Sequence, residues 1–326
     1  MKIALLCPSR IGDFICATPA FRALRNAWPS ANITLVGLPF VRELVERSPY
    51  LDRFEAFPGY PGIAEQFFAP DRALEFFQRM QAERFDLVIQ MHGSGVYSNP
   101  VALMMGGART AGFVRPEDGP GRLDWAVPFP EHLHARSRAL ALFEAMGVQP
   151  CGSHAEFALW PEDHAKAAKF LASIDAPLAG LHIGSREPQK CWPAEKYLEI
   201  ARRLEDRYTL VFIGGPEESA ESARLAGVLS QAVSFAGSVS LPVMGAIIDR
   251  FDFLVSNDSA PAHIGYALRR PTITLFGPTD PTVWGPPEDP MHRAVVAPQR
   301  ELHNLPVEAV WRAIKEIEPD RWRPSY

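Results

Sequence analysis

A carboxylate, Asp13, stands where the first apolar segment of the chain gives way to a helical pattern. It lies in RIGDFICATPAFRALR, residues 10–25, which closely follows the apolar run KIALLC. Gly12 permits a tight turn or the close approach of a ligand to the backbone. Helix-terminal amides favour an ionised carboxylate, so Asp13 can serve as a helix cap or as a general base. The segment alone leaves both roles open.

A second polar stretch, HIGSREPQKCWP at 182–193, begins where a predicted strand ends. Ser185, the cations Arg186 and Lys190, and exposed backbone amides can together hold a diphosphate. The alternative is an ordinary loop with solvated charges. The stretch is therefore a candidate phosphate-binding site.

A third stretch, SNDSAPAHIGYALRRPTITLFGPTDP at 256–281, contains a strand end followed directly by a helical pattern. The first amides of such a helix bind anions such as phosphates, which makes Ser259 a candidate ligand. Asn257 and Asp258 can contact sugar hydroxyls, although Asp258 can also be an N-cap. His263, one turn into the helix, is interpreted as structural.

Short apolar strands alternate with helical segments along the chain, and the alternation restarts near residue 177. Strands of this kind indicate parallel sheets covered on both faces, so we predict an α/β protein with two doubly wound units. The predicted domains are 1–160 and 161–304. Thr18-Pro19 is typical of an N-cap followed by a first-turn proline, which predicts a loop over residues 8–17.

Composition narrows the class of protein. The chain has 326 residues, 47% hydrophobic and 22% charged, with a net charge of −5, which is typical of soluble globular proteins and gives no argument for nucleic acid. No apolar run approaches the length of about 18 residues that a membrane span needs. The cysteines, Cys7, Cys16, Cys151 and Cys191, lack CxxC or metal spacing and indicate a reducing compartment. We expect a cytoplasmic protein that can still rest on a membrane surface.

These stretches, together with GGARTAGF at 106–113, resemble in order and spacing glycosyltransferase family 9, the heptosyltransferases of lipopolysaccharide core assembly. The resemblance covers most of the chain and is weak at 50–80 and 115–135. It implies a GT-B fold, with two Rossmann-like domains facing a cleft. The N-terminal domain then takes the acceptor and the C-terminal domain the nucleotide sugar. Residues 305–326, a helix and tail, are expected to pack back on the N-terminal domain.

The family's reaction is inverting and needs no metal, and the resemblance extends to single residues. Asp13 resembles the catalytic base, Lys190 the lysine on the donor phosphates, and Asp258 the aspartate near the donor sugar. Ser185 and Ser259 resemble the diphosphate cradle. A one-step inversion needs a base for the acceptor hydroxyl, and without a metal a lysine and helix-end amides must stabilise the leaving diphosphate. The chain has no DxD triplet, so we expect neither metal nor cofactor.

The sequence thus predicts an enzyme that moves a heptose from a nucleotide-heptose, most simply ADP-heptose, to the inner core of lipopolysaccharide or a related glycan. An anionic glycolipid acceptor needs cationic contacts. Arg10, Arg22 and Arg109 are candidates for them, and Gly12 is a further candidate for acceptor binding. The alternative for each arginine is a solvated surface charge. Peripheral contact with the inner membrane is a further expectation. Three alternatives stay open: another nucleotide-sugar donor or acceptor, a GT-B-like nucleotide-sugar epimerase, and a non-catalytic relative.

Overall fold

The computed structural model describes residues 1–63, 66–174 and 177–317. The chain divides into two compact units, Met1–Ala155 and a second that begins at Glu156, a few residues before the boundary expected from the sequence. Each unit contains one sheet of six parallel strands. Within the described residues, no helix combines the length and the apolar character that crossing a bilayer requires.

The first unit has the strand order β3-β2-β1-β4-β5-β6. Its strands are β1 (Lys2–Leu6), β2 (Asn32–Gly37), β3 (Arg53–Ala56), β4 (Leu87–Gln90), β5 (Thr110–Val114) and β6 (Trp125–Pro128). Its helices are α1 (Ile11–Ala27), α2 (Arg42–Arg47), α3 (Pro70–Glu83), α4 (Ser98–Met104) and α5 (Ala135–Ala145).

The second unit has the order β12-β11-β10-β7-β8-β9, which is the same arrangement counted from its own first strand. Its strands are β7 (Leu178–His182), β8 (Thr209–Ile213), β9 (Ala232–Ser234), β10 (Phe253–Asn257), β11 (Thr272–Phe276) and β12 (His292–Val296). Its helices are α6 (Pro161–Phe170), α7 (Ala194–Leu204), α8 (Ser219–Ala226), α9 (Leu241–Ile248), α10 (Ala260–Ala267), α11 (Pro281–Trp284) and α12 (Val307–Ile317).

Both sheets are doubly wound, as the sequence predicted. The central strands are buried almost throughout, because helices cover both faces of a parallel sheet. The strand order reverses between β1 and β4 in the first unit and between β7 and β10 in the second. Ligands of such sheets bind beyond the carboxyl ends of the strands at this switch point. The fold therefore predicts a ligand site at the switch point of each unit.

Helix α12 belongs to the second unit. Its apolar side, Val307, Val310, Ile314 and Ile317, is buried in the same core cluster as β11 and α7. The helix carries apolar residues at helical spacing, and burying them in that core is favourable. Of the segment 305–326, which was expected to pack back on the N-terminal domain, the helix contributes to the core of the second unit, and residues 318–326 lie outside the described residues.

Helix α1 begins at Ile11, with Arg10 as its N-cap, so the predicted loop over residues 8–17 is wrong and Pro19 lies inside the helix. Proline has no amide to donate to the carbonyl four residues earlier, which belongs to Ile15. The Thr18 hydroxyl donates to that carbonyl at 2.7 Å. The Thr-Pro pair therefore allows the helix to continue where the sequence pattern suggested that it starts.

This arrangement predicts a stability effect. Thr18→Val keeps the side-chain shape and removes the hydroxyl, so we expect urea unfolding to report a loss of about 1–2 kcal/mol. In a Pro19→Ala background the restored amide can bond to the Ile15 carbonyl, and Thr18→Val should then cost less than about half as much. An equal loss in both backgrounds would contradict this account.

Candidate functional site

Asp13 lies at the switch point of the first sheet, where the loops after β1 and β4 come together. Ser9 in the first loop is buried, and its hydroxyl oxygen is 3.2 Å from Nδ1 of His92 in the second. The backbone carbonyl of His92 accepts hydrogen bonds from the side chains of Gln90 and Ser98. The bonds from Gln90 and Ser98 fix the loop after β4, and the Ser9–His92 contact holds it against the loop after β1.

The Asp13 carboxylate caps the helix on which it lies. It is half-buried at the third position of α1 and accepts the Arg10 backbone amide at 3.0 Å. Burial raises the pKa of the neighbouring Cys7 thiol to about 12; the Ser9 hydrogen bond opposes this rise and the Asp13 charge adds to it. Cys7 thus stays a thiol and does not compete with the Asp13 carboxylate as a proton acceptor.

The guanidinium of Arg138, on α5, interacts electrostatically with the Asp13 carboxylate. Burial lowers the pKa of Arg138, while the charges of Glu131 and Asp13 raise it. Arg138 Nε donates to the Leu133 carbonyl at 3.0 Å, which ties the residue to the loop before α5. The site around Asp13 accordingly contains a positive charge that the sequence did not single out.

The predicted acceptor contacts separate into two groups. Arg10 and Gly12 lie beside Asp13, as the N-cap and the second residue of α1. Arg22 lies nine residues beyond Asp13, about 13 Å along the helix, and it is buried, with its guanidinium donating to the carbonyls of Cys151 (3.1 Å), Gly152 (3.2 Å) and His154 (3.1 Å). Arg22 thus anchors the end of the first unit.

Arg109 lies at the other edge of the first sheet. It immediately precedes β5, so it is at the amino end of that strand, whereas Asp13 follows the carboxyl end of β1. Its guanidinium carbon is 5.5 Å from the centre of the Trp125 ring. The structure therefore does not bring Arg109 together with Asp13, because parallel strands carry these two positions at opposite edges.

The second switch point brings together the loops after β7 and β10. Ser185 and Lys190 follow β7, while Asp258 and Ser259 follow β10, its neighbour in the sheet. Ser185 is half-buried, and Arg186 between these positions is exposed. The Lys190 ammonium lies 3.4 Å from a carboxylate oxygen of Glu187, and the lysine side chain as a whole is 19% exposed. Five of the predicted donor residues thus share one sheet edge.

Asn257 was predicted to contact the donor sugar, but its side chain is fully used in hydrogen bonds within the protein. Its amide oxygen accepts from the Trp192 amide at 3.1 Å and the Tyr197 hydroxyl at 3.0 Å. Its amide nitrogen donates to the carbonyls of Ile183 at 2.9 Å and Gly184 at 3.1 Å. A primary amide makes about four hydrogen bonds, so this side chain has no capacity left for a sugar. It fixes the loop after β7.

Asp258 and Ser259 occupy different surroundings at the start of α10. Asp258 is buried, and one of its carboxylate oxygens is 3.8 Å from Nε2 of His263, which packs edge-on against Tyr266 and Trp284. Ser259 is the N-cap of α10 by position, so the capping position predicted for Asp258 falls one residue later. Within the described residues, no three His, Cys, Asp or Glu side chains group as a metal site requires.

The sequence interpretation missed Glu218, which follows β8. One carboxylate oxygen accepts the Gly215 amide at 2.6 Å. A Cβ added to Gly184 would lie 2.2 Å from the other oxygen, so the carboxylate packs directly on the loop after β7. The strand end YTLVFIGG, 208–215, marked this loop, but the acidic residue three positions later carried no motif of its own.

The four hydrogen bonds of the Asn257 side chain lead to a prediction about stability. Asn257→Ala removes four buried hydrogen bonds and should lower the free energy of unfolding by about 2–4 kcal/mol in urea titrations. Asn257→Asp should be similarly destabilising, because a carboxylate cannot donate to the Ile183 and Gly184 carbonyls. Asn304→Ala, at an exposed position, is the matched control and should change stability by less than about 0.5 kcal/mol. A neutral Asn257→Asp would refute the proposed hydrogen-bond pattern.

Comparisons with known proteins agree with this architecture. A model of glycosyltransferase family 9 (heptosyltransferase) matches residues 73–306. Lipopolysaccharide heptosyltransferase 3 of Escherichia coli K12 is 24% identical over 289 residues, 84% of this chain and 82% of that protein. A family 9 glycosyl transferase from Veillonella parvula has a TM-score of 0.83 at 23% identity, covering 97% of this chain and 96% of that one.

A third relative is the E. coli heptosyltransferase WaaC, solved with ADP-2-deoxy-2-fluoro heptose. Its TM-score is 0.76 at 22% identity, and the match covers 97% of this chain and 99% of that one. The likeness to these structures confirms the predicted GT-B class of two Rossmann-like domains. Because the family model matches well over half of the residues, the chain belongs to glycosyltransferase family 9 and is a glycosyltransferase.

Proposed function

We propose that this enzyme is an inverting, metal-independent transferase that moves a heptose from ADP-heptose to the inner core of lipopolysaccharide or a related glycan. The observation that carries the proposal is the division of chemistry between the two switch points. The first unit has a carboxylate base, Asp13, and the second has a lysine, hydroxyls and helix-start amides suited to a diphosphate. We assign acceptor binding to the first unit and donor binding to the second.

The donor assignment follows the order of the loops along the second sheet. Lys190, Ser185 and Ser259 would hold the phosphates, with Arg186 at the exposed rim, and Asp258 would accept from the sugar hydroxyls. Glu218 follows the second strand of its unit; in Rossmann-like sheets an acidic residue there hydrogen-bonds the ribose. The bound ADP-heptose analogue in the E. coli relative supports ADP-heptose as the donor.

The reaction we derive is a single displacement at the anomeric carbon. The acceptor oxygen forms the new bond while the bond to the diphosphate oxygen breaks, and Asp13 takes the acceptor hydroxyl proton. Attack opposite the leaving group inverts the configuration. Lys190 and the amides stabilise the negative charge that develops on the diphosphate, which is the task that a divalent ion performs elsewhere.

The acceptor side retains Arg10 and Gly12 of the predicted contacts and gains Arg138. The Arg138 charge interacts with Asp13, which favours the ionised form that a base needs, and a cation here also suits an anionic acceptor. Arg22 and Arg109 are left out, because the first is bonded to backbone carbonyls and the second lies at the amino edge of the sheet.

The direct test is transfer from ADP-heptose to a truncated core lipid in the presence of EDTA. We expect a product larger by one heptose, with the anomeric configuration opposite to that of the donor, measured by mass spectrometry and NMR coupling constants. Loss of activity with EDTA would contradict the metal-independent mechanism. Conversion of the nucleotide sugar without any acceptor would favour the epimerase alternative, and transfer from UDP- or GDP-sugars alone would change the donor.

The role of Asp13 as a base can be separated from its role as a cap. Asp13→Asn keeps an acceptor for the Arg10 amide but cannot take a proton, so turnover should fall about 10²–10⁴-fold with unchanged affinity for ADP. Asp163 caps α6 in the same way, accepting the Trp160 amide at 2.8 Å. Asp163→Asn is therefore the matched control, and it should keep full turnover. Equal turnover in the two variants would remove Asp13 as the base.

We also propose that the first unit rests on the cytoplasmic face of the inner membrane. Three exposed aromatic side chains follow successive strands at the same edge as Asp13: Phe40 (48% exposed), Phe67 (90%) and Tyr97 (55%). Exposed aromatic groups beside a site are suited to a lipid boundary. A glycolipid acceptor would then be presented at the edge where the base lies.

Vesicles of acidic phospholipid test this surface by co-sedimentation. Replacing Phe40 and Phe67 with serine should weaken binding at least about tenfold, since each aromatic ring inserted contributes up to about 2 kcal/mol and tenfold corresponds to about 1.4 kcal/mol. Val228→Ser, at a position 55% exposed in the second unit, is the control and should bind like the wild type. Undiminished binding of the double serine variant would exclude this surface.

A further inference from the structure

The hydroxyl of Ser259 is shared with a buried histidine at the end of β7. His182 is 4% exposed and lies opposite Ser256 of β10 in the sheet register. Its Nδ1 atom is 3.1 Å from the hydroxyl oxygen of Ser256 and also 3.1 Å from that of Ser259. The buried His182 ring therefore contacts Ser259, at the start of α10, from the interior of the second unit.

The protons of this cluster can be assigned by elimination. The Ser256 hydroxyl is 2.8 Å from the Asn257 carbonyl, and a carbonyl only accepts, so the single Ser256 proton is used there. The contact between Ser256 and His182 is then a hydrogen bond only if Nδ1 carries a proton. Burial lowers the pKa of His182 to about 4, so the ring is neutral at physiological pH and has one N–H. That N–H is at Nδ1.

This assignment decides whether the Ser259 hydroxyl donates or accepts in its contact with His182. Because Nδ1 is 3.1 Å from both hydroxyl oxygens, its single N–H is shared between Ser256 and Ser259. The Ser259 oxygen therefore accepts from the ring, which leaves its own proton to be donated. Without a ligand, the acceptors within reach of that proton are the Asn257 carbonyl at 3.3 Å and the Ser256 oxygen at 3.4 Å, both longer than the contact of Ser256 with the same carbonyl. We infer that His182 is a positioning residue that holds Ser259 as a hydrogen-bond donor toward the diphosphate of the nucleotide sugar. The inference rests on the proposed donor site.

The start of α10 explains why a hydroxyl donor is useful there. Pro261 has no amide, and the Ala262 amide bonds back to the Ser259 carbonyl at 3.1 Å. The first turn therefore offers fewer amides to an anion than a regular helix start does. A serine hydroxyl directed by His182 supplies a donor at the place where the helix lacks them.

Binding of ADP, measured by calorimetry, tests the inference. Ser259→Ala and His182→Gln should each weaken ADP about tenfold, because a hydrogen bond to a charged group is lost or misdirected. His182→Asn carries its N–H near the Nδ1 position and should stay within about threefold of wild type, whereas Gln carries it near the Nε2 position. The double variant Ser259→Ala/His182→Gln should bind no more weakly than Ser259→Ala, since the histidine acts through the serine.

Controls separate the possible failures. His292 is equally buried but starts β12 at the amino edge, so His292→Gln should lower stability and leave ADP binding unchanged. Lys190→Met reports the diphosphate site itself. If Lys190→Met weakens ADP and His182→Gln does not, or if the two single losses add, the role of His182 is refuted while the proposed function stands. If wild-type protein binds no ADP, the donor assignment fails, and with it this inference.

Discussion

The reversal of strand order beside β1 and β7 is the constraint on which both sites depend. In a parallel sheet every strand ends at the same edge, and the connections on either side of the first strand leave toward opposite faces of the sheet. The loops after β1 and β4, and after β7 and β10, therefore meet at the same sheet edge before their chains turn to opposite faces, at one place in each unit. A carboxylate occupies the first of these places, and a lysine with two serines surrounds the second.

A buried primary amide completes each switch point. Gln90 and Asn257 are the last residues of β4 and β10, the corresponding strands of the two units, and both are fully buried. Gln90 bonds to the His92 carbonyl and accepts the Phe113 amide at 3.0 Å, while Asn257 ties β10 to the loop after β7. A side chain with both donors and acceptors can bond to two neighbouring elements at once, which an apolar or singly functional group cannot do.

Capping and catalysis use the same geometry at Asp13. Asp163 accepts an amide from the same relative position on α6, so the third-residue carboxylate is a general means of starting a helix in this chain. What distinguishes Asp13 is its environment: the edge of the sheet, partial exposure, and the nearby charge of Arg138. The local amide bond keeps the carboxylate in place, and the surroundings give it access to a substrate.

The sequence by itself determined the class of the fold, the two-unit organisation and the loops that follow each strand, because apolar periodicity and strand-end glycines are local properties. It also marked Asp13, Lys190, Asp258 and Ser259. Only the tertiary structure decided which polar residues stabilise the fold rather than bind a ligand. Asn257 makes four hydrogen bonds within the protein, and Arg22 donates to three backbone carbonyls. Arg109 lies at the amino ends of the strands, away from Asp13. The tertiary structure also added Glu218, Arg138 and His182, which interact with residues distant in sequence: Gly184, Asp13 and Ser259 respectively. Hydrogen-bond partners and strand polarity across a sheet depend on packing, and no local pattern encodes them.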